Sequence, residues 1–108
     1  MKVETKEIVQ VIEALKQTKQ KVKSPLVVGS NYFVRTVTHY YTGRCIESNS
    51  QWVVLDDVAW IADTGRFHDF IKDGKCNEYE GFIEPVAIPV GSIIDVTIWK
   101  HPLFKGQK

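Results

Sequence analysis

Between Tyr32 and Tyr41 the chain alternates with a period of two, yet neither face of that alternation is plainly polar. Phe33, Arg35, Val37, His39 and Tyr41 share one side; Tyr32, Val34, Thr36, Thr38 and Tyr40 share the other. β-Branched and aromatic residues dominate both sides, which predicts a strand. Thr42-Gly43 bends it, and Arg44 to Glu47 continues as a second strand. Ser48-Asn49-Ser50 reads as a turn, because these short polar side chains bond their own backbone. Trp52 to Ile61, rich in Val, Leu and Trp, is a third strand. Val86 to Val90 and Ile93 to Trp99 are two more, separated by Gly91-Ser92.

Two segments follow the helical period instead. In residues 4–22, Ile8, Val11, Ile12, Leu15 and Val22 place an apolar stripe on one side. Acidic residues come early and lysines late, which suits the helix dipole, and Ser24-Pro25 ends the segment. A short second helix is capped by Asp63-Thr64-Gly65, carries Phe67, Phe70 and Ile71, and stops at Asp73-Gly74. Residues 75–85 read as a loop and the last nine as a frayed tail.

The expected architecture is therefore α+β. An N-terminal amphipathic helix (4–22) precedes a five-stranded, strongly bent antiparallel sheet or small barrel (26–99). A short helix is inserted after the third strand, and a basic tail (100–108) closes a single domain of residues 1–108. Five short strands with tight turns favour closure, since a flat sheet of this size would expose its edges.

Composition narrows the class. The chain has 108 residues, 44% hydrophobic and 25% charged, as an ordinary globular domain does and a disordered chain does not. No apolar run approaches the ~18 residues of a membrane helix, and MKVETKEIVQ lacks the pattern of a signal peptide. A cytoplasmic location is expected, with a virion as the alternative. Cys45 and Cys76 have no second cysteine near either, so a zinc site and a redox pair are not expected, and both read as free thiols.

The net charge of +1 is unevenly spread: residues 1–24 sum to +3, residues 25–99 to −5 and residues 100–108 to +3. Basic ends flanking an acidic middle are either solvated surface or a rim that attracts phosphate.

The strand plan resembles the Sm-like fold, and more loosely SH3-like barrels. YFVRTVTHYYTGRCIESNSQWVVLDDVAWI is similar to the first three strands of an Sm-like domain and SIIDVTIW to the last, although residues 62–85 exceed the usual connection. The segments VRTVTHYYTGR, DDVAWIADTGRFHDFIKDG and SIIDVTIWKH together resemble an uncharacterised family of small phage and prophage proteins. That likeness implies an origin and a shared fold; it implies no activity.

The residues offer little for catalysis. His39 on its strand reads as a packed or half-exposed polar residue, and His68, Asp69 and His101 form no dyad or metal spacing. Asp56 and Asp57, as strand neighbours, point to opposite sides and do not converge. One is expected in solvent and the other on local backbone or Arg44. No enzyme activity, metal or cofactor is therefore expected.

Aromatic rings and arginines are the more informative set, since small barrels stack bases on rings while Arg meets phosphate. Tyr40 and Tyr41 point to opposite faces, so one ring leaves the core; Trp60 and Phe67 read as core. Thr64-Gly65-Arg66 places an arginine at a helix N-terminus, either an anion site or a simple cap.

The candidate ligand-binding residues are Arg35, Tyr40, Tyr41, Arg44, Thr64, Gly65 and Arg66. The expected function is a non-catalytic, oligomeric binding module for a nucleotide or short nucleic acid. For a phage protein, one such role is sequestering a nucleotide signal of host defence. The alternative is a protein-interaction module, either a virion component or an inhibitor docking on a host protein; no membrane partner is expected.

Overall fold

The computed structural model describes residues 26–108. Among them are six strands: β1 (Asn31–Thr36), β2 (Tyr40–Ser48), β3 (Trp52–Asp63), β4 (Glu78–Gly81), β5 (Val86–Pro89) and β6 (Ile93–Ile98). One short helix, α1 (Phe67–Asp73), joins β3 to β4, and a 3-10 turn (Val90–Ser92) joins β5 to β6. All strand pairs are antiparallel, in the order β4-β3-β2-β1-β6, and β5 also pairs with β3. The expectation of an α+β chain with five strands is thus corrected to a mostly antiparallel sheet of six strands with one short helix. The predicted N-terminal helix lies outside the described residues.

Three local features explain where the strand boundaries fall. The run Tyr32–Tyr41 is a hairpin and not one strand, because the Thr36 hydroxyl closes a turn at Val37-Thr38-His39. It donates to the His39 carbonyl (2.7 Å) and accepts from the His39 N–H (2.9 Å). A β-branched turn keeps the alternation of its flanks, so the sequence shows no break.

Gly43, expected near a strand break, lies inside β2 at a register shift. A Cβ there would stand 3.0 Å from the Leu55 Cβ, so glycine lets β3 approach closely. Residues 75–85 contain β4, whose sequence EYEG is polar because it half-buries only Tyr79.

β3 organises the sheet. One edge pairs with β2 along its length; the other pairs with β5 over Trp52–Leu55 and with β4 over Ala59–Asp63. Between the two halves Asp57 adopts φ 49°, the one positive φ of a non-glycine among the described residues. This kink divides the long strand.

The sheet is packed on both faces. Inside, Tyr32, Val34, Cys45, Val53, Leu55, Val58 and Ile88 form one core, joined by Val86, Ile93 and Val96. Side chains from β5 and β6, at opposite ends of the strand order, share this core, so the sheet curls as in a small barrel-like domain.

Outside, Phe33, Ala59, Ile61, Phe70, Cys76 and Trp99 form a second core, joined by Leu103 and Phe104. The C-terminal residues are not frayed. Trp99 stands 4.8 Å from Phe70, and Phe104 stands 4.7 Å from Tyr79. Gly81 N–H donates to Gly106 and Tyr79 exchanges bonds with Lys108, so the tail covers the edge of β4. Both cysteines are free and buried, and burial raises both thiols above their ordinary range.

Candidate functional site

The seven sequence-predicted residues fall in different places. Arg35, on β1, lies opposite Asp95 of β6 and Tyr40 of β2. Its guanidinium makes a two-pronged ion pair with the Asp95 carboxylate, with Nε to Oδ1 at 2.7 Å. Hydrogen bonding from Arg35 lowers Asp95 below the ordinary carboxylate range, and Asp95 in turn raises Arg35. The same guanidinium stands 5.8 Å from the Tyr40 ring centre and 5.3 Å from that of Phe67. Tyr40 meets Phe33 edge-on at 5.8 Å, on the outer face.

Arg44 is also engaged. It bonds Asp56 at 3.1 Å and, through its other terminal nitrogen, Asp57. The two aspartates therefore converge, against the expectation from strict alternation. The left-handed backbone at Asp57 turns its side chain back, and the Asp57 N–H bonds the Asp56 carboxylate at 2.9 Å. Both carboxylates meet Arg44, where one aspartate was expected in solvent and the other on local backbone or Arg44.

Thr64 and Gly65 form the link into α1. Gly65 adopts φ 71°, its N–H bonds the Asp63 carboxylate (2.8 Å), and the Thr64 hydroxyl donates to the Gly65 carbonyl (2.8 Å). Arg66 occupies the N-cap position without a side-chain cap and is exposed. Asp63, expected as the cap, closes the preceding turn instead. The Gly65 N–H is thus held by a carboxylate within the chain.

Tyr41 points to the other side of β2 and anchors an aromatic patch. His39 stacks on it at 6.1 Å with 24° between the planes, and Phe82 lies 6.1 Å away. Trp60, directly opposite Tyr41 in the register, stands 5.7 Å from His39. Glu80 of β4 pairs with Trp60 and continues the row onto a third strand. Phe82 is 46% exposed, and Trp60 is half-buried, not core as expected. Phe67, also expected in the core, is 42% exposed, and Phe70 takes the buried place.

Beside Tyr41 opens a cleft of about 340 Å³, between the β1–β2 turn (Val37, Thr38) and β5 (Val86, Ile88, Pro89). A second cleft of about 280 Å³ lies between Ile71 and Lys72 of α1 and Ile98, Lys100 and His101. His101 is fixed there by a bond from its Nε2 to the Ile71 carbonyl (2.8 Å).

The structure thus brings Arg35 and Tyr40 together on the outer face and leaves Tyr41, Arg44 and Thr64–Arg66 apart from them. The period-two alternation put His39 on the same side as Tyr41, but sequence reasoning missed Trp60 and Phe82 as partners of Tyr41. Their meeting depends on the β2–β3 register and on the chain returning at residue 82, and no local spacing encodes either. Among the described residues no group of three or more His, Cys, Asp or Glu side chains is placed to hold a metal ion, and no helix is long and apolar enough to cross a membrane. No family model matches the chain, and no curated protein or solved structure shows significant similarity to it.

Proposed function

We propose that this protein is a non-catalytic binding module that takes a nucleotide or the bases of a short single strand on its aromatic patch. The observation that carries this reading is the row of rings across β2 and β3, Tyr41 and Trp60 with His39 and Phe82, beside the open cleft. Every base has a π-face, so exposed rings bind bases with little regard to sequence, at about 1–3 kcal/mol per stacked base. Glu80, opposite Trp60, is a hydrogen-bond acceptor beside the patch that suits a base amino group.

Arg35 and Arg44 are committed to carboxylates and serve the fold. The reading therefore leans on stacking and not on arginine contacts to phosphate. Acting in a phage-infected cell, such a module would hold a nucleotide signal away from its receptor.

Fluorescence anisotropy of a labelled oligonucleotide of about eight thymidines, competed with mononucleotides, tests this. Tyr41→Ala and Phe82→Ala are each expected to weaken binding by about tenfold. Circular dichroism checks that each variant keeps its fold. Absence of binding at about 100 μM protein, where Kd near that concentration means about 5 kcal/mol, would refute the reading. The protein-interaction alternative would then lead.

A further inference from the structure

The row of rings does not end at Trp60. Tyr41 pairs with Trp60 across β2 and β3, Trp60 with Glu80 of β4, and Glu80 with Gln107 of the tail. Residues directly opposite one another on antiparallel strands share a face. One line across the sheet thus runs from two rings to a carboxylate and on to an amide.

The backbone bonds fix the end of that line. The Gly81 N–H donates to the Gly106 carbonyl at 2.6 Å, and the Lys108 N–H to the Tyr79 carbonyl at 2.9 Å. Glu80 and Gln107 therefore lie between ladder bonds as a non-hydrogen-bonded pair, the kind whose side chains stand closest. Both side chains are exposed, and among the described residues no hydrogen bond or ion pair engages either.

We propose that Glu80 and Gln107 read the edge of the stacked base and select guanine; this rests on the aromatic patch being a platform for bases. A carboxylate only accepts, and it holds two parallel donors best. Guanine alone among the five bases sets two donors side by side, N1–H and the 2-amino group, with the O6 acceptor next to them. The Glu80 carboxylate takes both donors, and the Gln107 amide donates to O6. Adenine and cytosine each place a ring-nitrogen lone pair beside their one amino group, and it faces the carboxylate with like sign. Thymine and uracil flank their one N–H with carbonyl oxygens. Every other base thus leaves the charged acceptor short of a donor, which is how hydrogen-bonding sites select.

Fluorescence anisotropy of labelled octamers tests this, using all thymidine and the same octamer with one central guanine, hypoxanthine or adenine. The guanine octamer is expected to bind about tenfold more tightly than all-thymine. Hypoxanthine keeps N1–H and O6 but lacks the 2-amino group and is expected in between, with adenine level with thymine. In Glu80→Gln the guanine-to-thymine ratio of affinities is expected to fall to about one, and in Gln107→Ala by about threefold. A merely structural role for either side chain would weaken all the octamers alike. Competition with guanosine monophosphate separates a free nucleotide from a strand. Displacement at the octamer's own concentration assigns the nucleotide, and displacement only at about hundredfold excess assigns the strand.

Equal binding of the guanine and thymine octamers overturns the proposal and leaves the stacking platform standing. So does a guanine preference that survives Glu80→Gln. Failure of every octamer to bind overturns both.

Discussion

On the inner face of β1, Tyr32 and Val34 meet side chains of β2, β3, β5 and β6. On the outer face, Phe33 meets Phe70 of α1 at 5.0 Å and Trp99 at 6.2 Å. The inner core needs only strands in register, whereas the outer core needs a helix and the C-terminal residues laid over a sheet that already exists. A strand buried on both sides reads as apolar on both sides, which accounts for the absence of a polar face between Tyr32 and Val34. The comparison also teaches where function sits. The outer face is largely spent on packing Phe33, Phe70 and Trp99, and the open rings lie at the mouth of the inner face.

The largest test of that division compares Leu55→Ala, inside, with Phe70→Ala, outside. Both side chains are fully buried, so losses of about 2–5 and 3–5 kcal/mol are expected. Hydrogen exchange should separate them: Phe70→Ala is expected to free amides of residues 67–73 and 99–108 while β1–β3 stay protected. Equal loss of protection everywhere in both variants would make the two cores one cooperative unit.

Deleting residues 103–108 sharpens the same comparison. It removes the half-buried Leu103 and Phe104 and uncovers β4, so a loss of about 2–3 kcal/mol in urea unfolding is expected. An unchanged midpoint would mean that the tail only decorates the outer face.

The smallest effect belongs to Arg35–Asp95, which ties β1 to β6 on the outer face. Asp95 is lowered in the folded state, so its contribution is present above the unfolded carboxylate value of about 3.9 and is lost as pH falls through the lower folded value. The pair is more than a third exposed on the Asp95 side, and solvent screening limits it to about 1 kcal/mol or less. Asp95→Asn is expected to narrow the fall in stability between pH 4 and pH 2.5, read as the urea midpoint at each pH. Parallel profiles for the two proteins would show the ion pair to be thermodynamically silent.

Several features were legible in the chain. The β-branched and aromatic runs placed β3, β5 and β6 within two residues of their ends, whereas the second strand, expected over 44–47, begins at Tyr40, and Asp73-Gly74 marked the end of α1, where Gly74 adopts φ 72°. The hairpin at residues 37–39 was not legible, because its closing group is the Thr36 hydroxyl and its residues are β-branched like the strands. Nor was β4, a short polar strand that exists by pairing with β3 and the tail.

Of the candidate site, Tyr41 was legible as a ring leaving the core, since consecutive strand residues must part. Its companions Trp60 and Phe82 were not. Arg35 and Arg44 looked available for phosphate until cross-strand neighbours Asp95, Asp56 and Asp57 claimed them.

Local alternation, cap residues and the positions of Gly and Pro thus determined that the described residues form strands, a short helix and tight turns, because each acts through its own backbone. Tertiary structure alone decided which face each aromatic occupies, which arginines are neutralised and which strand the tail covers. Those outcomes rest on strand register and on the tail's return, contacts between residues far apart in the chain.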